Sequence, residues 1–483
     1  MSSDTPQSAR PKTSRLTPIR RFFKRVTDAT SDGARGINHW IADLARNFPA
    51  RATVLVFLFI IVVITSLLCL PIATTSGHGT SFVNALFTAV SAVCVTGLTV
   101  VDTATYWSHF GQAVIASGIF IGGLGVMTLA SLLALAVSQH LGLTQRMLAR
   151  DSSDSGGMGG VGRLLTGVFI ISVTAELAIA LVLFFRFEAA GTPPLKAIWD
   201  SFFMAISAFN NAGFVNVPGG VDGFIGDWGF LLPIIIGATV GAIGFPVITD
   251  ITKNWRSPRR WTLHTKLTLS TFGILMLGSI VITGLLEWNN PNTLGALAES
   301  DRVLNSLLAG INTRSLGISL IDVNEMHGAT ILITNLSMFV GGGSASTAGG
   351  IKVTTLAVMF LALLAEARGL QDAEGFRRRL SFGTVRLAVS VLLMGAILVI
   401  AGTFLLLVMT DHTLDEAMFE AISAFGTVGL STGITPTLPV PARFVLAVLM
   451  FAGRLGPMTF ATALALRDRR RLIRMPEARP IVG

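Results

Sequence analysis

The sequence predicts an all-α integral membrane protein. It is expected to hold four tandem repeats, each a membrane helix, a pore helix and a returning membrane helix, around a pseudo-fourfold pore with eight spans. Three observations predict this. Gly97, Gly213, Gly317 and Gly429 recur at intervals of 116, 104 and 112 residues, a period long enough for a whole structural unit. The runs from Ala52 to Leu70, Leu164 to Phe185, Phe230 to Val247 and Leu387 to Val408 match the roughly 18 apolar residues of a spanning helix. Finally, 29 of the 36 Lys and Arg fall in five clusters: up to Arg51, between Gln139 and Arg163, between Lys253 and Lys266, between Arg368 and Arg386, and after Leu466. The positive-inside rule puts all five in the cytoplasm, so each block between them leaves and returns.

The elements follow in order. Residues 1–50 are a basic cytoplasmic leader, in which Arg20 to Arg25 with Phe22 and Phe23 suits an anionic membrane face. Repeat 1 covers 51–140: Ala52 to Leu70 goes out, Ser81 to Val93 is too short to span, and Gln112 to Val137 returns. Repeat 2 covers 141–255, with Leu164 to Phe185, Ala197 to Phe209 and Phe230 to Ile251. Repeat 3 covers 256–368, with Leu263 to Leu286, Arg302 to Ile311 and Thr330 to Ala365. Repeat 4 covers 369–470, with Leu387 to Val408, Leu414 to Phe425 and Arg443 to Leu466, and 471–483 is a cytoplasmic tail. Three short helices end on a Ser-Ala pair, at Ser91, Ser207 and Ser423. A half-helix that stops inside the bilayer turns the negative end of its dipole toward the axis, which favours a cation.

Composition narrows the function. The chain is 51% hydrophobic and 13% charged, about half the charge of a soluble domain. The first apolar run follows some fifty polar residues, unlike a cleavable signal peptide. A net charge of +9 raises nucleic-acid binding, but the basic clusters alternate with spans, so topology accounts for them and no nucleic-acid partner is expected. Cys69 and Cys94 make neither a disulfide framework nor a metal site. The seven histidines lie in the leader or near span ends, which argues against zinc or a proton relay. No nucleophile and base sit together at membrane depth, so an enzyme is not expected. No bound cofactor or resident metal is expected either.

Two constellations carry the chemistry. Carbonyls of Val95, Thr96 and Gly97, of Asn211, Ala212 and Gly213, of Ser315, Leu316 and Gly317, and of Thr427, Val428 and Gly429 are expected to replace the hydration shell of a cation. Thr427-Val428-Gly429 matches the start of a potassium-channel TVGYG filter, without its Tyr-Gly end. One or two good sites are therefore expected near the glycines. The second constellation is 341–350, where Gly341, Gly342, Gly343, Gly349 and Gly350 accompany Ser344, Ser346 and Thr347. Five glycines cannot hold a helix in lipid, and unwound backbone at that depth must face protein or water. A gate below the filter is expected. A phosphate-binding loop is the rival reading, but the G-x-x-x-x-G-K-[ST] spacing is absent. Lys352 and Arg454 are intramembrane cations and are assigned to the gate, where Arg454 raises the barrier for a cation and the loop's carbonyls partly neutralise it; a salt bridge from Arg454 to Glu176 is the structural alternative. Arg314 is expected to brace the third filter segment.

These residues resemble the superfamily of potassium transporters that includes TrkH, KtrB and the fungal Trk proteins. The resemblance runs from about residue 50 to 470 and rests on the four glycine segments, the Gly341 to Lys352 loop and Gly453-Arg454-Leu455-Gly456-Pro457. It implies four membrane-pore-membrane repeats, an intramembrane gating loop in repeat three and a pore arginine in the last helix. It also implies a homodimer in the cell membrane, on a cytosolic ring of RCK-type nucleotide-binding subunits (KtrA-like). TrkH-type members carry an extra N-terminal pair of spans; the polar leader is similar to the KtrB type instead. Ser315-Leu316-Gly317-Ile318 stands where KtrB proteins usually have Thr-Ala-Gly-Phe. The activity so implied is passive potassium uptake. The alternative is a symporter coupling potassium to sodium or protons, with Glu176 as the titratable candidate.

Overall fold

The computed structural model describes residues 49–139, 158–457 and 459. The leader's basic segment, the tail 471–483 and the end of the last return helix lie outside the described residues. Contacts divide the chain into Met1–Ala52 and Thr53–Gly483, and of the first only the start of one helix, from Pro49, is described.

The architecture is helical, with one two-residue hairpin at Glu374–Gly375 and Arg378–Arg379 among the described residues. In chain order the helices are α1 Pro49–Leu68, α2 Phe82–Val93, α3 Thr103–Tyr106, α4 His109–Gln139, α5 Met158–Ala189, α6 Pro194–Phe209, α7 Trp228–Ile243 and α8 Phe245–Asn254. They continue as α9 Leu263–Glu287, α10 Glu299–Ile311, α11 Gly328–Phe339, α12 Val353–Ala367, α13 Phe382–Met409, α14 Leu414–Gly426 and α15 Val440–Leu455. The starts of α2, α9, α13 and α14 are capped by Ser81, Thr262, Ser381 and Thr413, whose hydroxyls accept the third backbone N–H of each helix. At α14 the cap is a full box, since Glu416 returns to the Thr413 N–H at 2.8 Å.

Four described helices are long and apolar enough to cross a membrane: α1, α5, α9 and α13. The bent pair α7–α8 makes a fifth if counted as one span. The sequence predicts eight spans with the third return broken at 341–350; among the described residues the second return segment is interrupted as well. The expected span from Phe230 to Ile251 breaks at Gly244 (φ +99°), where α7 and α8 meet at 95°. Left-handed φ costs an L side chain too much to be common, so glycine holds the corner. Between α11 and α12 lies the stretch 340–352, and α15 stops at Gly456 (φ +86°).

The packing is cyclic. Helix α4 packs on α6, α7 on α10, α11 on α14 and α15 on α2. Each of α4, α7 and α11 thus touches the next short helix along the chain, and α15 closes on the first, α2. Two large apolar clusters share this ring. One joins α1, α2, α13, α14 and α15 around Phe87, Phe419 and Phe425; the other joins α5, α6, α7 and α10 around Phe187, Phe209 and Phe230. Outward faces keep exposed Phe59, Leu181, Ile274 and Ile400, as lipid-facing helices require.

Candidate functional site

The short helices α2, α6, α10 and α14 end just before the glycine segments. Beyond three of them the backbone reverses identically. Thr96 N–H reaches back to the Ser91 carbonyl (2.8 Å), Ala212 to Ser207 (2.8 Å) and Val428 to Ser423 (2.9 Å). The third segment winds as a π turn over Asn312–Leu316. In all four, the residue two before the glycine is left-handed: Val95, Asn211, Ser315 and Thr427 have φ of 55°, 59°, 95° and 48°. The glycines themselves have φ of 89°, 68°, 72° and 88°. Four copies of an unfavourable conformation at one register are held only by their surroundings.

Those surroundings are one another. A Cβ built on Gly97 would strike the Ala212 carbonyl and lie 3.0 Å from Gly213 Cα. One on Gly213 would lie 3.0 Å from the Leu316 oxygen and 3.1 Å from Gly317 Cα. One on Gly317 would meet the Val428 oxygen and lie 3.2 Å from Gly429 Cα. One on Gly429 would strike the Thr96 oxygen, 3.2 Å from Gly97 Cα. The four glycines therefore form a closed ring in sequence order. Beside each lies the carbonyl oxygen of the residue preceding the next glycine. Thr96, Ala212, Leu316 and Val428 are fully buried, and the hydroxyls of Thr96 and Thr427 and the Asn211 Oδ1 have no protein partner. Such a ring of oxygens, with backbone approaching from four sides, has the donor chemistry for a hard monovalent cation.

Below the ring, 340–352 folds as a closed loop. Its neck is the parallel bridge Val340–Ile351, with Gly341 N–H on the Ile351 carbonyl at 2.8 Å. Its backbone bonds outward where helix would have bonded inward. Gly343 N–H reaches the Ala242 carbonyl (2.8 Å), Thr347 N–H reaches Gly241 (3.2 Å) and Gly350 N–H reaches Gly453 (3.2 Å). The corner at Gly244 frees the α7 carbonyls for this. Lys352 Nζ donates to the Ala348 carbonyl at 2.6 Å. The buried Arg454 donates to the carbonyls of Thr347 and of Gly122, the latter at 2.8 Å, so it ties the loop to α4. It forms no ion pair with Glu176, whose carboxylate accepts from Asn210 Nδ2 at 2.7 Å. Ser344 bonds Thr354, and the Ser346 hydroxyl is buried without a partner.

Loop and ring are joined directly. Asn211 Nδ2 donates to Thr347 Oγ1 at 2.6 Å, and a Cβ on Gly349 would strike the Thr427 hydroxyl. Ser315 Oγ donates to the Thr427 carbonyl at 2.6 Å, linking the third segment to the fourth. Arg314 lies behind the ring, its Nη1 on the carbonyls of Val340 and Ser337, the latter at 2.9 Å.

One set of packing contacts escaped the sequence reading. A Cβ on Gly122, Gly241 or Gly453 would strike the carbonyl of Val93, Phe209 or Phe425, each four residues before a ring glycine. These glycines let return helices touch the ends of the short helices. They follow the ring glycines by 25, 28 and 24 residues, an offset that the sequence does carry. In repeat 3 the loop occupies the corresponding place.

The family model described as TrkH, cation transport protein, matches residues 59–469. The chain belongs to this family. Its members are cation transporters of membranes and not enzymes. The chain is similar to Ktr system potassium uptake protein B of Bacillus subtilis, with 39% identity covering 90% of this chain and 97% of that one. It is 33% identical to the protein of the same name from Vibrio alginolyticus, covering 96% and 100%. It is also 33% identical to potassium/sodium uptake protein NtpJ of Enterococcus hirae, covering 87% and 94%. The crystal structure of the potassium transporter TrkH from Vibrio parahaemolyticus shares the fold, with a TM-score of 0.67 at 17% identity over 85% and 84% of the two chains.

Proposed function

We propose that this chain is the ion-conducting subunit of a potassium uptake system, passing potassium down its electrochemical gradient. The observation that carries this is the closed glycine ring, with one backbone carbonyl beside each glycine. Residues 95–97, 211–213, 315–317 and 427–429 supply the filter oxygens, and four short-helix C-termini add negative potential. The names of the relatives support potassium as the cargo. In this reading α1, α5, α9 and α13 lead outward. The returns are α4, α7–α8, α11 with α12, and α15, giving eight crossings with both termini cytoplasmic. Loop 341–350, with Lys352 and Arg454, is the gate. Its bonds to Gly241, Gly453 and Asn211 hold it beneath the ring. The relatives' designation as one protein of a Ktr system supports a separate regulatory subunit, here a cytosolic RCK-type ring, on a homodimer.

The test is potassium, rubidium and sodium flux into liposomes holding the purified chain, with Gly213→Ser and with loop 341–350 deleted. Loss of potassium preference in the first and raised flux in the second are expected. Unchanged preference in the first would overturn the filter, and unchanged flux in the second the gate.

Symport is the second reading, and the bond from Glu176 to Asn210, beside ring residue Asn211, favours keeping it. Flux of Glu176→Gln against pH separates the two: coupling requires a lost pH response, and passive conduction requires none.

A further inference from the structure

A groove of about 390 Å³ opens between α4, α5 and α6, a volume in the range of small-molecule sites. Its wall is mainly hydrocarbon, with Ala116, Phe120, Ile121, Leu177, Phe202 and Ile206. Ile121, Leu177 and Phe202 are exposed, so the mouth lies on the lipid-facing side of these helices. Trp199 also lines the groove, and its indole N–H is spent on Gln112 Oε1 at 2.7 Å.

One wall residue is unlike the rest. Glu176 is the sole titratable side chain among the described residues that line the groove, and it is only 3% exposed. Its Oε1 accepts from Asn210 Nδ2 at 2.7 Å. Its Oε2 has no hydrogen-bond partner among the described residues, yet it is not one of the fully sealed polar atoms. A carboxyl oxygen is thus left open at the wall of a groove that lipid can enter. A hydrocarbon chain filling the groove would leave that oxygen unpaired, at a cost in free energy. Water would pair it but leave the apolar wall wet, and apolar cavities stay dry. An ammonium group answers both needs. It donates to the carboxylate with charge assistance, and the rings of Phe120, Trp199 and Phe202 suit a cation.

We infer that this groove binds a lipophilic amine that enters from the bilayer, its nitrogen on Glu176 Oε2 and its hydrocarbon body against α4 and α6. Amine and carboxyl share one proton, whichever of them brings it, and form an ion pair, so no net charge is added at membrane depth. The site reaches the ring through Asn210. That side chain also donates to the Ile206 carbonyl at 2.9 Å, and a Cβ on Gly123 of α4 would strike its Oδ1, so it is wedged in place. It precedes Asn211, which bonds Thr347 of the loop. An ammonium that draws on the carboxylate's charge weakens the hold on Asn210, and flux falls. This last step rests on the conduction proposed above; the binding does not.

The experiment is equilibrium binding of tritiated 1-aminoadamantane to the full-length protein in liposomes, counted against protein-free liposomes, with rubidium flux measured on the same vesicles. Saturable binding is expected in wild type. It should weaken about tenfold or more in Glu176→Gln, and 1-adamantanol, of the same shape but without the charge, should compete about tenfold less well than the unlabelled amine. No binding above protein-free liposomes would overturn the site. Equal binding in Glu176→Gln, or equal competition by the alcohol, would make the groove a seat for hydrocarbon alone and overturn it too. Should Glu176→Gln fail to fold, Ser117→Phe, which places a ring in the groove from an exposed position, reads the same loss. Unchanged flux in protein saturated with the amine would overturn the coupling to the ring. Absent flux in wild type would count against conduction, and the binding comparison would still decide the site.

Discussion

The sharpest prediction concerns the order in which the ring glycines tolerate alanine. Each has positive φ, so every substitution carries a conformational cost of about 1–2 kcal/mol. The steric part differs. At Gly213 the added methyl meets the Leu316 oxygen at 3.0 Å and Gly317 Cα at 3.1 Å. An outward shift of about 0.3 Å in one carbonyl relieves that, at a cost comparable to the conformational one. At Gly97 and Gly429 the methyl would overlap the Ala212 and Thr96 carbonyls themselves, and backbone in a closed ring has nowhere to go. Gly213→Ala should therefore keep rubidium flux while losing about tenfold in potassium over sodium, since tenfold corresponds to about 1.4 kcal/mol. Gly429→Ala, Gly97→Ala and Gly317→Ala, whose methyl would likewise overlap the Val428 carbonyl, should abolish selective flux. The assay is rubidium and sodium uptake into liposomes at matched protein density. If Gly429→Ala is as mild as Gly213→Ala, the ring contacts do not govern the filter and the reasoning fails.

Arg454→Gln should raise potassium flux several-fold, because it removes a buried charge and the tie from the Thr347 carbonyl to α4; lower flux in a folded variant would show the arginine helps conduction. Thr347→Val removes the 2.6 Å bond to Asn211, worth about 1 kcal/mol; open-state occupancy in single-channel records should rise about fivefold, and no change would detach the loop from gating. The buried Glu287 carboxylate accepts from Asn290, Thr293, Thr330 and the His327 N–H; Glu287→Gln turns an amide toward these donors, so stability should fall by about 1–3 kcal/mol, read as a lower unfolding midpoint, while an unchanged midpoint would mean these bonds are not structural. Gly244→Ala would place a methyl 2.7 Å from the Ser344 carbonyl at a φ of +99°; reduced protease resistance of the loop is expected, and wild-type resistance would mean the corner does not anchor it.

The glycine period was legible because ring geometry demands left-handed backbone four times, and only glycine serves at the innermost point. The unwound loop was legible for a similar reason, in the five glycines of 341–350. The corner at Gly244 was not, because hydropathy runs straight through it from Phe230 to Ile251; only Gly244 with Pro246 marks it, as Gly456 with Pro457 marks the end of α15. The partners of Arg454 were legible in part: loop carbonyls were expected, and the Gly122 carbonyl of α4 was not. Sequence also offers Glu176 as the opposite charge, whereas in the structure the guanidinium donates to the carbonyls of Thr347 and Gly122, with its Nε buried and unpartnered. Carbonyls are everywhere in a sequence, and composition gives no sign of which ones a fold leaves free. Asn211 was assigned for its backbone alone, and its side-chain bond to Thr347 spans 136 residues.

The ring is one covalent chain, and its quarters are not equal. Ser315 bonds across to Thr427 in one quarter, and Asn211 reaches down to the loop from another. In a pore of four identical subunits, any mutation arrives in all four quarters at once. Here a mutation arrives in one. Each quarter can thus drift or specialise while three others hold the geometry, so under the proposed filter role natural variation can adjust ion preference in small steps where a symmetric pore must change fourfold or not at all.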